Sequence, residues 1–182
     1  MSSHTRTPGR LGYREYLCFP QDGQTHEIIR GEHIVNPAPG TYHQTLSRRI
    51  QFQLYQQIEL SGLGVVYDAP TDLQLSEMNI VQPDLIVVLQ RNQTIITPTK
   101  IKGIPDLIVE ILSTTSEGND RVLKKGLYRD SGVPEYWVVD PDEHVVEQYV
   151  LRAGEYELVG RHGDAVAPQA IAGVRVNLTD VW

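Results

Sequence analysis

The stretch "IPDLIVEILS", Ile104 to Ser113, decides how the chain is read. It has the length and the β-branched content of a strand, yet Glu110 stands inside its apolar run. An earlier stretch, "VQPDLIVVLQ" from Val81 to Gln90, repeats the Pro-Asp-Leu-Ile-Val opening with no acid at the matching place. A carboxylate buried without a partner is strongly unfavourable. Glu110 must therefore be held by something, or hold something. On the two-residue period of a strand, Asp106, Ile108, Glu110 and Leu112 face one way. Asp84 opens the sister strand, so pairing of the two strands would bring Asp84 and Glu110 together at one edge of a sheet. Two close carboxylates repel unless they share a cation, and Mg²⁺ or Mn²⁺ accepts such oxygen ligands. The plainer reading of Asp84 and Asp106 is that of strand-entry or turn acids after proline. Glu110 shifts the balance toward function.

Working outward, "STTSEGN" (Ser113–Asn119) is a turn rich in capping residues. It leads to a helix over about Asp120–Asp130, stopped by Gly132 and Pro134. Asp120, Lys124 and Tyr128 share a face of that helix. Taken alone, they read as an acid–base pair on a solvated surface. The turn after Glu110 can also fold the helix back, so that Lys124 points into the same site. Upstream, "HEIIRGEHIVNPAP" (His26–Pro39) reads as a hairpin turning at Arg30-Gly31. "TYHQTLSRRIQFQLYQQIEL" (Thr41–Leu60) is a helix with Leu46, Ile50, Leu54 and Ile58 as its apolar stripe. Short strands are expected near Val65–Tyr67 and Leu73–Leu75, and over Asp84–Leu89. "EYWVVD" (Glu135–Asp140) and "HVVEQYVL" (His144–Leu151) form a second hairpin, followed by weaker strands near Glu155–Val159 and Val174–Leu178. The order of helices and strands is α+β.

The 182 residues suit one domain and one core, taken as 13–182 behind a flexible tail at 1–12. With 40% hydrophobic and 21% charged residues the composition is that of a globular protein. No apolar run reaches the roughly 18–20 residues of a membrane span, and the polar opening has no signal-type segment. A cytoplasmic protein without membrane contact is expected. The single cysteine, Cys18, allows no internal disulfide and no cysteine-built metal site, and reads as inert packing. The net charge of −7 does not favour sequence-independent grip on nucleic acid, although local patches matter more than totals. Tyr136 and Trp137 read as core residues.

Taken together, "QPD" (Gln82–Asp84), "PDLIVEILS" (Pro105–Ser113), Asp120, Lys124, Tyr128, "GVPEYWVVDP" (Gly132–Pro141) and the upstream "EIIRGEHIVNPAPGTYHQ" (Glu27–Gln44) resemble the bacterial "putative restriction endonuclease" family of the PD-(D/E)XK nuclease superfamily. The resemblance covers roughly residues 25–182. It implies a restriction-endonuclease-like core, a mixed sheet flanked by helices, and metal-dependent hydrolysis of DNA by a homodimer. Asp84 matches the first acid of the superfamily and Glu110 the second, with the Ile111 carbonyl as a further metal ligand. The usual lysine, two residues after the second acid, is replaced here by Leu112. The resemblance implies that a helix lysine takes over, and Lys124 matches it. His43 and Gln44 stand at the first helical turn, where the superfamily often has a metal-supporting glutamate. Glu32 matches a further family position. Arg48, Arg49, Arg121, Lys125 and Arg129 are candidates for phosphate contacts. The alternatives are a catalytically weak relative that binds nucleic acid or a protein partner, and a hydrolase of small phosphates.

Overall fold

Strand β8 (Leu107–Ile111), formed by the opening stretch, lies inside a six-stranded mixed sheet. The computed structural model describes residues 10–113 and 119–182, without the side chains of residues 119–121. In chain order the elements are α1 (Tyr13–Tyr16), the hairpin β1 (Thr25–Ile29) and β2 (Glu32–Asn36), α2 (Thr41–Leu54), β3 (Gly64–Asp68), β4 (Leu73–Ser76), β5 (Asn79–Val81), β6 (Leu85–Leu89), β7 (Ile101–Lys102), β8, α3 (Asn119–Ser131), β9 (Glu135–Asp140), β10 (Val145–Arg152), β11 (Glu155–His162), β12 (Ala165–Val166) and β13 (Val176–Asn177). The large sheet runs β11-β10-β9-β8-β6-β3, and a five-stranded sheet runs β2-β1-β5-β4-β7. The β8–β9 pair is parallel, and α3 supplies the crossover that a parallel pair needs. All other neighbours in the large sheet are antiparallel. This is the α+β, mixed-sheet architecture expected from the sequence.

The two faces of the large sheet separate by the two-residue period. Leu85, Val87, Leu89, Leu107, Val109 and Ile111 pack under the α2 stripe of Leu46, Ile50, Leu54 and Ile58. Ile86, Val88, Ile108 and Leu112 face the other way, against Leu127 and Tyr128 of α3 and against Ile29, Leu73, Val81 and Ile101 of the smaller sheet. Tyr136 and Trp137 are core residues. The hairpin turns at Arg30 (φ 55) and Gly31 (φ 82), two positive φ values in the two-residue loop whose twist suits a hairpin. The α2 path passes into a π turn at Tyr55–Glu59, so the helical stripe continues to Ile58 with a wider last turn.

One expectation of the core changes. Cys18 is exposed, and its Sγ lies 3.6 Å from the Arg14 carbonyl, so it does not pack in a core. Asp106 keeps its plainer reading as a structural acid: it accepts from the Leu89 N–H at 2.8 Å, from Arg91 at 2.6 Å and from Asn92 at 2.9 Å. The expected tail at 1–12 lies mostly outside the described residues, but the Leu11 N–H donates to the Gly31 carbonyl at 2.9 Å, so the chain just before α1 is tied to the hairpin.

Candidate active site

Glu110 is buried, 9% exposed, on the face of β8 that looks toward α3. Leu85 of β6 stands opposite Val109 in antiparallel register. Continued by one residue, that register sets Asp84 across from Glu110, and directly opposed residues project on the same side. The two strands that open with Pro-Asp-Leu-Ile-Val thus set Asp84, from the first motif, beside Glu110, which follows the second. Asp84 lies at the strand end, where the layers meet. Its Oδ2 accepts from the Ile111 N–H at 2.7 Å and lies 3.1 Å from His43 Nε2. His43 reaches it from the first turn of α2, three residues before Leu46 and so on the same helical face. The other ring nitrogen, Nδ1, is buried and has no hydrogen-bond partner among the described residues.

The opposite wall is α3. Lys124 and Tyr128, one turn apart, point to the same carboxylate. The Tyr128 hydroxyl donates to Glu110 Oε1 at 2.6 Å, and Lys124 Nζ lies 3.2 Å from that oxygen. Lys124 Nζ also lies 3.2 Å from Glu27 Oε1, a fully buried carboxylate of β1. Glu27 further accepts from the Gln82 N–H at 2.9 Å and from Asn36 Nδ2 at 2.9 Å. Both sheets and both long helices therefore contribute to one cluster.

Burial pushes the Glu110 carboxyl up to about 8, against the pull of Lys124 and with the help of the Asp84 and Glu27 charges. Burial, and then the Glu110 charge, carry the Tyr128 hydroxyl well above the ordinary tyrosine range. Burial works against a charged His43 ring, but the hydrogen bond and charge of Asp84 outweigh it, and the histidine is raised. The arrangement is short of positive charge: Glu110 is costly as an anion in the protein alone. Among the described residues, no three His, Cys, Asp or Glu side chains gather into a ready-made metal cage. Each acid is engaged through one oxygen, Oδ2 of Asp84 and Oε1 of Glu110, and the other oxygen of each makes no hydrogen bond among the described residues. That pair of free carboxylate oxygens fits an ion of the Mg²⁺ type. Such an ion uses one or two carboxylates and completes its shell with water and substrate phosphate.

Residues 13–179 match the family model Uma2, described as "Putative restriction endonuclease". The chain belongs to the Uma2 family. Its fold is similar to the crystal structure of a putative nuclease belonging to DUF820 from Anabaena variabilis, with a TM-score of 0.77 and 19% identity over 94% of this chain and 97% of that chain. No curated protein matches it. The Uma2 family description supports a nuclease function. No helix among the described residues is long and apolar enough to cross a membrane.

Within this Uma2 chain, Asp84, Glu110, Lys124, Tyr128, His43 and the Ile111 backbone are brought together, and two nominated residues are not. Glu32 stands beside the hairpin turn, opposite Ile29, on the edge strand β2, and is exposed. The buried acid of the hairpin is Glu27, on the interior strand β1, which had no nominated role. Glu110 is marked by its place inside an apolar run, whereas Glu27 follows polar residues at the start of its β-branched run and carries no such mark. Gln44 is exposed, one helical step off the face that carries His43 and Leu46. The Asp120 side chain, like that of Arg121, lies outside the described residues. Of the cations nominated for phosphate, Arg49 donates to the Val181 and Trp182 carbonyls, Arg129 pairs with Asp130 and Glu155, and Lys125 lies 3.7 Å over the Tyr149 ring. Arg48 is exposed on α2.

Proposed function

We propose that this protein is an endodeoxyribonuclease that hydrolyses DNA phosphodiester bonds with Mg²⁺ or Mn²⁺. The observation that carries the reading is Glu110, an acid inside a buried strand, set across from Asp84 and 3.2 Å from the Lys124 ammonium. Asp84 and Glu110, with the Ile111 carbonyl, would hold the ion. When bound, such an ion acidifies an attacking water and polarises a phosphate oxygen. The chain supplies the rest. Lys124 orients the attacking water and offsets the charge that develops on the phosphate. Tyr128 fixes Glu110 by donating to one oxygen and leaving the other for the ion. His43 and the Ile111 N–H do the same for Asp84. A cytoplasmic homodimer, with one site for each DNA strand, completes the reading, and the mass in solution checks the dimer.

The test is cleavage of supercoiled plasmid by the purified chain. Nicked or linear product should appear with Mg²⁺ or Mn²⁺ and be absent with chelator or in Glu110→Ala. DNA binding without cleavage under either metal would overturn the enzyme and favour the non-cutting relative. Turnover of small phosphodiesters with intact plasmid would favour the small-phosphate hydrolase.

A further inference from the structure

Glu27 has no counterpart in the two-acid, one-lysine scheme, yet it is the most deeply buried carboxylate of the cluster. One of its oxygens, Oε1, does two things at once. It lies 3.2 Å from Lys124 Nζ and accepts from the Gln82 N–H at 2.9 Å. Gln82 stands two residues before Asp84, so a single oxygen joins the lysine to the turn that delivers the first acid. Lys124 is equally far, 3.2 Å, from Glu27 and from Glu110. An ammonium with Glu110 as its main carboxylate partner would settle on it and compete with any cation for that carboxylate. A second buried acid offers a contrast. Glu135 is also buried, and its carboxylate is satisfied by neutral donors: the Trp137 indole, the Gln148 amide, and the Gln169 and Ala170 N–H groups. Neutral donors therefore suffice in this fold to bury a glutamate as a brace. Glu27 has two of them and takes an ammonium besides, which a brace does not require.

We propose that Glu27 is a positioning residue for the reaction: it holds the Lys124 ammonium between the two sheets and against the Asp84 turn, so that the lysine keeps its place while Glu110 serves the ion. The inference rests on the nuclease reading for its catalytic consequence, but not for the Glu27–Lys124 contact itself. Glu27→Gln keeps the shape and removes the charge.

Two readouts on the full chain test it. The first is the side-chain ¹⁵N resonance of Lys124, assigned by its absence in Lys124→Met. In Glu27→Gln it should shift or vanish, while the Lys100 and Lys102 resonances stay. The second is plasmid cleavage, in which kcat should fall about 10- to 100-fold with KM for DNA little changed, the usual scale for losing a group that orients a site residue. A folded Glu27→Gln with the wild-type Lys124 resonance and wild-type kcat overturns the proposal. If Glu27→Gln does not fold, Glu27→Asp decides: a shifted Lys124 resonance with lower kcat supports it, and wild-type values of both overturn it. If the wild-type chain cuts no DNA, the nuclease reading fails, and the resonance alone decides whether Glu27 holds Lys124.

Discussion

At the scale of single residues, Glu110 was legible because an acid interrupts an apolar run, and that interruption needs only local sequence. Its chemistry sets a sign for pH dependence. The folded carboxyl titrates near 8, above its ordinary value of 4.5. The native state therefore binds more protons than the unfolded chain between those values, and stability falls as pH rises through that window. In chelator, Tm should be lower at pH 8.5 than at pH 5.5, and Glu110→Gln should flatten that slope while abolishing cleavage. A steep loss of Tm in Glu110→Gln with cleavage retained would make Glu110 structural. Lys124 and Lys125 separate catalysis from surface. Lys124→Met should lower the cleavage rate by orders of magnitude and cost about 3–5 kcal/mol by stranding buried carboxylates. Lys125→Ala should cost about 1 kcal/mol at most, the loss of an aromatic contact, with little change in rate. Equal small effects on rate would remove the lysine assignment. Glu27 was hidden at this scale, because which hairpin acid is interior depends on β1 lying between β2 and β5.

At the scale of elements, long periodic segments could be read and short ones could not. The α2 stripe and the α3 stop at Gly132 follow from period and capping, and the Arg30-Gly31 turn from its flanking runs. Strands β5, β7 and β12, of two or three residues each, carry too few positions to show an alternation and exist because a neighbour pairs with them. The same holds for α1, four residues held by the Gly12 cap and by the Tyr13 N–H donating to the Glu77 carbonyl. Gly64 shows how closely two elements can approach. A Cβ there would lie 2.4 Å from the Val88 carbonyl oxygen and 2.8 Å from the Leu89 Cα, backbone of the neighbouring strand. Gly64→Ala should force β3 off β6 and lower stability by a few kcal/mol in urea unfolding. Ile50→Ala, in the buried stripe, should cost about 2–5 kcal/mol, and Phe52→Ala, on the exposed side of α2, far less.

At the scale of the molecule, the site belongs to no single element. Asp84 and Glu110 come from the large sheet, Glu27 from the small one, His43 from α2, and Lys124 and Tyr128 from α3. Local sequence could nominate members of the cluster but could not show which hairpin acid joins it, because that depends on how the layers dock. Divalent metal should raise Tm of the whole chain by mass action. The rise should be absent in Asp84→Asn, and an equal rise in that variant would place the ion elsewhere. The Glu27–Lys124 contact also bears on how the protein comes into being. More than half of the chain lies between the two residues, and closing so long a loop belongs to the slow, late part of folding. A newly made chain, or one that has partly unfolded, holds its acids and its lysine apart. A partly unfolded copy would therefore lose the assembled site while much of its secondary structure remains.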